Sequence, residues 1–315
     1  MERDMKRRII QYTTVVLAFL AGMIFMTYMT RMGNRDMTGD MAQAQLPVVH
    51  AEQDGVLYNE MHGYVEDMDG ASMRDSVIGV SEDHKVGLAL EKYNAQIKSV
   101  SYEVRSLDMS RLIEGGDDLQ AEDDGKYLHI SLTLKDLLTQ GEEYLLVLKV
   151  QTEDQDLVRF YSILTYLGTN HVQDCVDFAQ RFHEMTLTGD SDGVLNYLEQ
   201  DGSMDGKDLG YINIHSRSGP VTWGDMQVEQ IGDPSLRFTE LESDITALTM
   251  EYQVTNTETS EQYQVREAYR LRYTSTRIYL LAYERWTDKI LEPGRQLVED
   301  GKLSFGIQSS EPVYM

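Results

Sequence analysis

Apolar residues along this chain follow three successive rhythms. From Ile9 to Thr30 no side chain is charged: the stretch reads IIQYTTVVLAFLAGMIFMTYMT. A helix of about 20 mostly apolar residues can cross bilayer hydrocarbon, and a helix satisfies its own backbone there. The run therefore predicts a transmembrane helix over 9–30. From 46 to 168 the rhythm is two-residue alternation. Val86, Leu88 and Leu90 begin it, then Val100, Tyr102 and Val104, then Leu128, Ile130, Leu132 and Leu134, then Tyr144, Leu146, Leu148 and Val150, then Val158, Tyr161, Ile163 and Leu164. Such alternation marks half-buried strands, and the turns between them (Ser106-Leu107-Asp108, Asp123-Asp124-Gly125) carry suitable residues. From 171 to 200 the period becomes helical, with Val172, Cys175, Val176, Ala179, Phe182 and Met185 on one face. Asn170 is placed to cap this helix, Gly189-Asp190 to end it, and Ser191 or Asp192 to open a second one. Alternation then returns over 221–231, 236–241, 245–254, 263–273 and 278–286, the last three as a meander.

These rhythms predict six segments: a cytoplasmic N-terminus 1–8, a transmembrane helix 9–30, a juxtamembrane linker 31–45, an all-β sandwich 46–168, an α+β domain 169–290 in which a helix pair packs on a curved antiparallel sheet, and an extension 291–315 able to add a further strand. Lys6, Arg7 and Arg8 precede the apolar run, which predicts a cytoplasmic N-terminus and extracytoplasmic domains in a single-pass cell-membrane protein. The net charge of −25 disfavours nucleic acid as a partner. With Cys175 as the single cysteine, no disulfide within the chain is expected.

Three resemblances add to this reading. DLLTQGEEYLLVLKV (136–150) resembles the tyrosine corner of fibronectin type III-like sandwiches, which implies a bond from the Tyr144 hydroxyl back to the backbone near Leu137 or Leu138. FAQRFHEMTLTGDSDGVLNYLEQ (178–200) resembles the opening of the nuclear-transport-factor-like and SnoaL-like superfamily. That superfamily holds enzymes, ligand binders and interaction domains. The runs LYNEMHGY (57–64) and SMRDSV (72–77) resemble uncharacterised membrane-anchored surface proteins of Gram-positive bacteria.

Chemistry-bearing motifs are sparse. His183-Glu184 starts like a zinc-protease helix but lacks the second histidine, and reads as a surface pair. Asp67 and Asp69, Asp190 and Asp192, and the acidic run 117–124 lack the ligand register of a calcium loop. Cys175 on the apolar helix face reads as a small hydrophobe. No catalytic residue, cofactor or metal is expected. A pocket between helix and sheet would be lined by Tyr211, His215, Trp223, Tyr252, Tyr269 and Trp286. Arg266, Arg270 and Arg272 share one strand face, opposite Val265, Tyr269 and Leu271, and form a candidate partner surface. The expected role is binding or scaffolding at the cell envelope through an envelope protein partner. The alternatives are a small-molecule binder or enzyme using that pocket, and a subunit of a conjugation- or secretion-type envelope machine.

Overall fold

The computed structural model describes residues 12–14, 17–27, 46–73, 76–117, 119, 121–135, 137–153, 157–169, 171–201, 209–290, 298–299 and 302–303. In the N-terminal unit, 1–44, residues 12–14 and 17–27 are helical with exposed side chains. No helix among the described residues is long and apolar enough to cross a membrane. The continuous run 17–27 spans roughly 17 Å at about 1.5 Å per residue, short of a hydrocarbon core of about 30 Å. The expected anchor over 9–30 is thereby corrected, and the single-pass localisation derived from it falls with it. Residues 9–11, 15–16 and 28–30 of that segment lie outside the described residues, as does most of the 31–45 linker.

The second unit spans 45–315. Its first strands are β1 (Val48–Gln53), β2 (Val56–His62), β3 (Val77–Ser81), β4 (Lys85–Glu91), β5 (Ile97–Ser106), β6 (Leu112–Gly116), β7 (Ala121–Asp123), β8 (Tyr127–Thr133), β9 (Glu143–Thr152) and β10 (Leu157–Gly168). They form two five-stranded, β-sandwich-like sheets, ordered β2-β1-β4-β8-β7 and β3-β10-β9-β5-β6. Central β9 is buried on both faces from Tyr144 to Leu148, while β5, nearer the edge, keeps the alternation. The β3–β10 pairing is parallel, with Ile163 opposite Val77, where only antiparallel neighbours were expected. Tyr144 is buried, and its hydroxyl accepts the Thr139 N–H at 2.8 Å and donates to Glu142 at 3.2 Å. The corner contact therefore falls one to two residues beyond the expected position.

The chain continues through α1 (Val172–Thr188), α2 (Ser191–Leu195), β11 (Tyr211–Asn213), α3 (Ser218–Val221), β12 (Val228–Leu241), β13 (Ile245–Asn256), β14 (Gln262–Tyr273) and β15 (Ile278–Lys289). The third sheet is ordered β11-β15-β14-β13-β12. The period-3.6 stripe of α1 buries Val172, Cys175, Val176, Phe178, Ala179, Phe182, His183 and Thr186. Gly189 ends the helix in the left-handed region, at φ 76°. Asp190 then caps α2 by accepting the Gly193 N–H at 2.9 Å. Asn170, expected to cap α1, lies outside the described residues, and His171 before Val172 makes no side-chain cap bond.

Two expected strands merge into one. Gly232-Asp233-Pro234 does not break β12; the pairing with β13 shifts between Ile231 and Ser235 and then resumes, so the three residues are absorbed as an irregularity. Val221 belongs to α3, not to a strand. The fold class is corrected accordingly. The described residues are mostly β, with three five-stranded sheets, one helix of four to five turns and three short helical turns (one of them the 3-10 turn Gly70–Ser72) in the second unit, and no spanning helix among them. In the C-terminal extension Val298–Glu299 and Lys302–Leu303 pair with each other, and the other residues of 291–315 lie outside the described residues.

Asn59 joins the first sheets to the third. Its side chain is fully buried, donates to the Val77 carbonyl at 2.7 Å and accepts the Phe238 N–H at 2.6 Å. Beside it the Tyr58 and Phe238 rings meet edge to face, 5.1 Å apart.

Candidate functional site

The helix-facing side of the third sheet carries an ionised core. Register places Glu267 on β14 between Met250 of β13 and Arg285 of β15. Tyr252 lies opposite Val265 and Tyr283 opposite Tyr269, so both phenols are diagonal neighbours of Glu267, within aromatic reach. Glu267 has no exposed surface and four donors. Oε1 accepts the Tyr252 hydroxyl at 3.1 Å and the Tyr283 hydroxyl at 2.9 Å. Oε2 accepts the Tyr269 hydroxyl at 2.6 Å and His183 Nδ1 of α1 at 3.0 Å. The other imidazole nitrogen, Nε2, is 2.7 Å from Gln230 Oε1. The Gln230 amide nitrogen donates to the Gly232 carbonyl, so its oxygen must face the ring. Both ring nitrogens therefore donate, which is the imidazolium form.

The electrostatics agree with that assignment. Burial works to lower the His183 pKa, but the bond and charge of Glu267 outweigh it, and the net direction is upward. Burial likewise works to raise Glu267, yet the bonds from His183 and Tyr269 hold its pKa below the ordinary value. Desolvation first, and the carboxylate second, push Tyr252, Tyr269 and Tyr283 well above the ordinary phenol value, so all three remain donors. Arg285 is buried next to this group. It donates to the carbonyls of Val221 at 2.7 Å and Pro220 at 2.9 Å, and its guanidinium lies 3.9 Å from the Trp223 ring centre. His183 is thus an interior residue, which corrects its reading as half of a surface pair; Glu184 is exposed.

The six residues expected to line one pocket do not come together. Tyr252 and Tyr269 fill the ionised core, and Trp223 is buried beneath Arg285. Tyr211 and Trp286 lie on the opposite face of the sheet, their rings 5.7 Å apart. His215 sits in a turn, with Nδ1 bonded to the Glu199 carbonyl at 2.8 Å. The strand period of two explains the split, because Trp286 adjoins the inward Arg285.

The three arginines do share the outward face of β14 and are exposed. Arg266 lies over the Trp286 ring at 4.4 Å, and Arg272 over Tyr279 at 5.4 Å. Arg270 reaches across the small Ala247 to hold Glu240 with two bonds, at 3.0 and 2.9 Å. Among the described residues, Arg266 and Arg272 form no ion pair.

The remaining sequence candidates hold local structure. Asp67 accepts the Tyr161 hydroxyl at 3.1 Å, and Asp69 accepts Ser72 at 2.9 Å. Asp124 accepts the backbone N–H groups of Tyr127 and Lys126, which with His129 hold its pKa down to about 2. Cys175 is buried, which pushes its thiol pKa up. Among the described residues no group of three or more His, Cys, Asp or Glu side chains is placed to hold a metal ion.

No protein-family model matches the chain, and no curated protein matches it. Among solved structures it is similar to CopC from Methylosinus trichosporium OB3b, at 16% identity over 33% of this chain and 93% of that one, with a TM-score of 0.23. A likeness at that score carries no argument about fold or function.

Proposed function

We propose that this protein acts by binding a partner protein through the outward face of the third sheet, without catalysis. The observation that carries the reading is the row Arg266, Trp286 and Tyr211, one side chain from each of three adjacent strands: the guanidinium lies over the indole at 4.4 Å, and the two rings meet at a tilt with centres 5.7 Å apart. Trp, Tyr and Arg are the residues that dominate binding energy at protein interfaces. A guanidinium stacked on an indole keeps its fork of donors pre-oriented for carboxylates, so the partner is expected to present acidic side chains. The opposite face supports the same reading. There the titratable groups are buried, and both oxygens of Glu267 already accept two donors each, leaving them no free capacity for a substrate.

The test is site-specific crosslinking in the source cells. A photo-reactive phenylalanine replacing Thr249, on the same outward face, should yield one discrete adduct. Arg266→Glu with Arg272→Glu should abolish the adduct and leave thermal unfolding unchanged, since both side chains are exposed. An adduct that survives the double reversal, or forms equally from a probe at the distant Lys98, would remove this face.

A further inference from the structure

The third sheet has a half-open edge. β11 pairs with β15 only at Trp286, Arg285 and Glu284, and the Ile214 N–H extends that contact to the Tyr283 carbonyl. β15 begins at Ile278, so 278–282 has β14 on one side and, among the described residues, no strand on the other. An open edge of this kind invites pairing with another chain, and proteins usually blunt it with proline, lysine or a covering element. Residues 278–282 read IYLLA, without charge or proline.

A groove of about 630 Å³ runs along this edge, with the segment 196–199 as its opposite wall. Phe178 and Leu280 supply an apolar floor, and Tyr197 packs edge to face on Phe178 at 5.2 Å. Arg181 and Arg277 flank the groove and are exposed. Among the described residues Arg181 donates to the Asp177 carbonyl at 3.2 Å, and Arg277 lies 3.9 Å from the Tyr279 ring centre. The same two arginines also border a cleft containing Asp174, Asp177 and Glu184, yet neither forms an ion pair among the described residues. Among the described residues that line the groove, Glu199 is the one acidic side chain.

We propose that this edge takes an extended acidic segment of a partner protein as an added strand. Main-chain hydrogen bonds to 278–282 would supply affinity, and alternate side chains specificity. A five-residue edge spans roughly 16 Å at about 3.3 Å per residue. Apolar side chains of the added strand would face Phe178 and Leu280, and its carboxylates would meet Arg181 and Arg277. This edge is separate from the outward face proposed above, and either can fail alone.

Selection of a random heptapeptide phage library on the full chain should enrich sequences that alternate acidic and apolar residues. A synthetic peptide of the enriched sequence should slow amide exchange at 278–282 at least tenfold. Its affinity should fall at least tenfold for the Arg181→Glu, Arg277→Glu chain. N-methylation of alternate peptide amides should also abolish binding, because strand addition uses the main chain. No enrichment, protection confined to the outward face of β14, or an N-methylated peptide binding as well as its parent would each overturn the proposal.

Discussion

Glu267→Gln is the sharpest probe of the ionised core. It keeps the volume of the side chain and replaces one oxygen by an amide that donates. Each oxygen now receives two donors, so two of the four contacts become donor against donor whichever way the amide turns. His183 also loses its counter-anion while remaining buried. Removing one partner of a buried ion pair costs about 3–5 kcal/mol, and hydroxyl rotation can recover part of that. Against a usual total of about 5–15 kcal/mol, the loss is large enough to measure by urea unfolding. Its pH dependence is the more diagnostic result. In the parent, the raised His183 pKa adds stability fully present below 6.5 and lost as pH rises through the folded value. The depressed Glu267 pKa adds stability present above 4.5 and lost as pH falls through the folded value. In the variant the Glu267 charge is gone, burial and the nearby Arg285 outweigh the remaining Gln230 bond, the folded pKa of His183 drops below 6.5, and stability climbs as pH rises toward that value. The cost should therefore be greater at pH 5 than at pH 8, with the His183 NMR titration moved to lower pH. A cost under about 1 kcal/mol, or one equal at both pH values, would show that the pair is not ionised in the fold.

Two further outcomes follow from the hydrogen bonds of two buried side chains, Tyr144 and Asn59. Tyr144→Phe leaves the Thr139 N–H without its acceptor and should cost about 1–2 kcal/mol in urea unfolding; an unchanged midpoint would show that the corner contributes nothing. Asn59→Ala orphans the Val77 carbonyl and the Phe238 N–H and places alanine at φ 52°, for about 2–5 kcal/mol. Both tryptophans lie in the third-sheet region, so after Asn59→Ala their fluorescence should no longer change together with far-ultraviolet circular dichroism. Transitions that still coincide would show that other contacts couple the sheets.

The strands of the first two sheets were legible wherever alternation ran long, as in β5, β8 and β9. β1 and β2 do not figure in the alternation, which begins at Val86, although they carry a different signal. Asp54-Gly55 between alternating runs is a two-residue hairpin signature, and both residues have positive φ, 50° and 82°. β3 was not legible, because its parallel partner lies some 85 residues downstream and no local pattern announces that pairing. A bond between the Tyr144 hydroxyl and the preceding turn was legible in residues 136–150, but its recipient depends on how that turn closes. The apolar run at the N-terminus shows the converse. Hydropathy reports what a segment could do in lipid, whereas the helix formed there among the described residues is too short to cross.

The ionised core was half-legible. His183 falls on the same helical face as Val176 and Ala179, at spacings of seven and four, and this outweighs its adjacency to Glu184. Glu267 stands in the inward register of β14 between Val265 and Tyr269, where a lone charge signals a buried partner. What the sequence could not supply was the meeting of the two across 84 positions, which depends on where α1 crosses the sheet. That crossing is in turn pinned by the pair. A shift of α1 by one turn, about 5.4 Å, would keep an apolar stripe over the sheet but strand an imidazolium and a carboxylate in the interior. Apolar contacts alone tolerate such slippage; a single carboxylate gathering three phenols and one imidazolium does not. The buried chemistry of this domain is thereby committed to holding one alignment of helix and sheet.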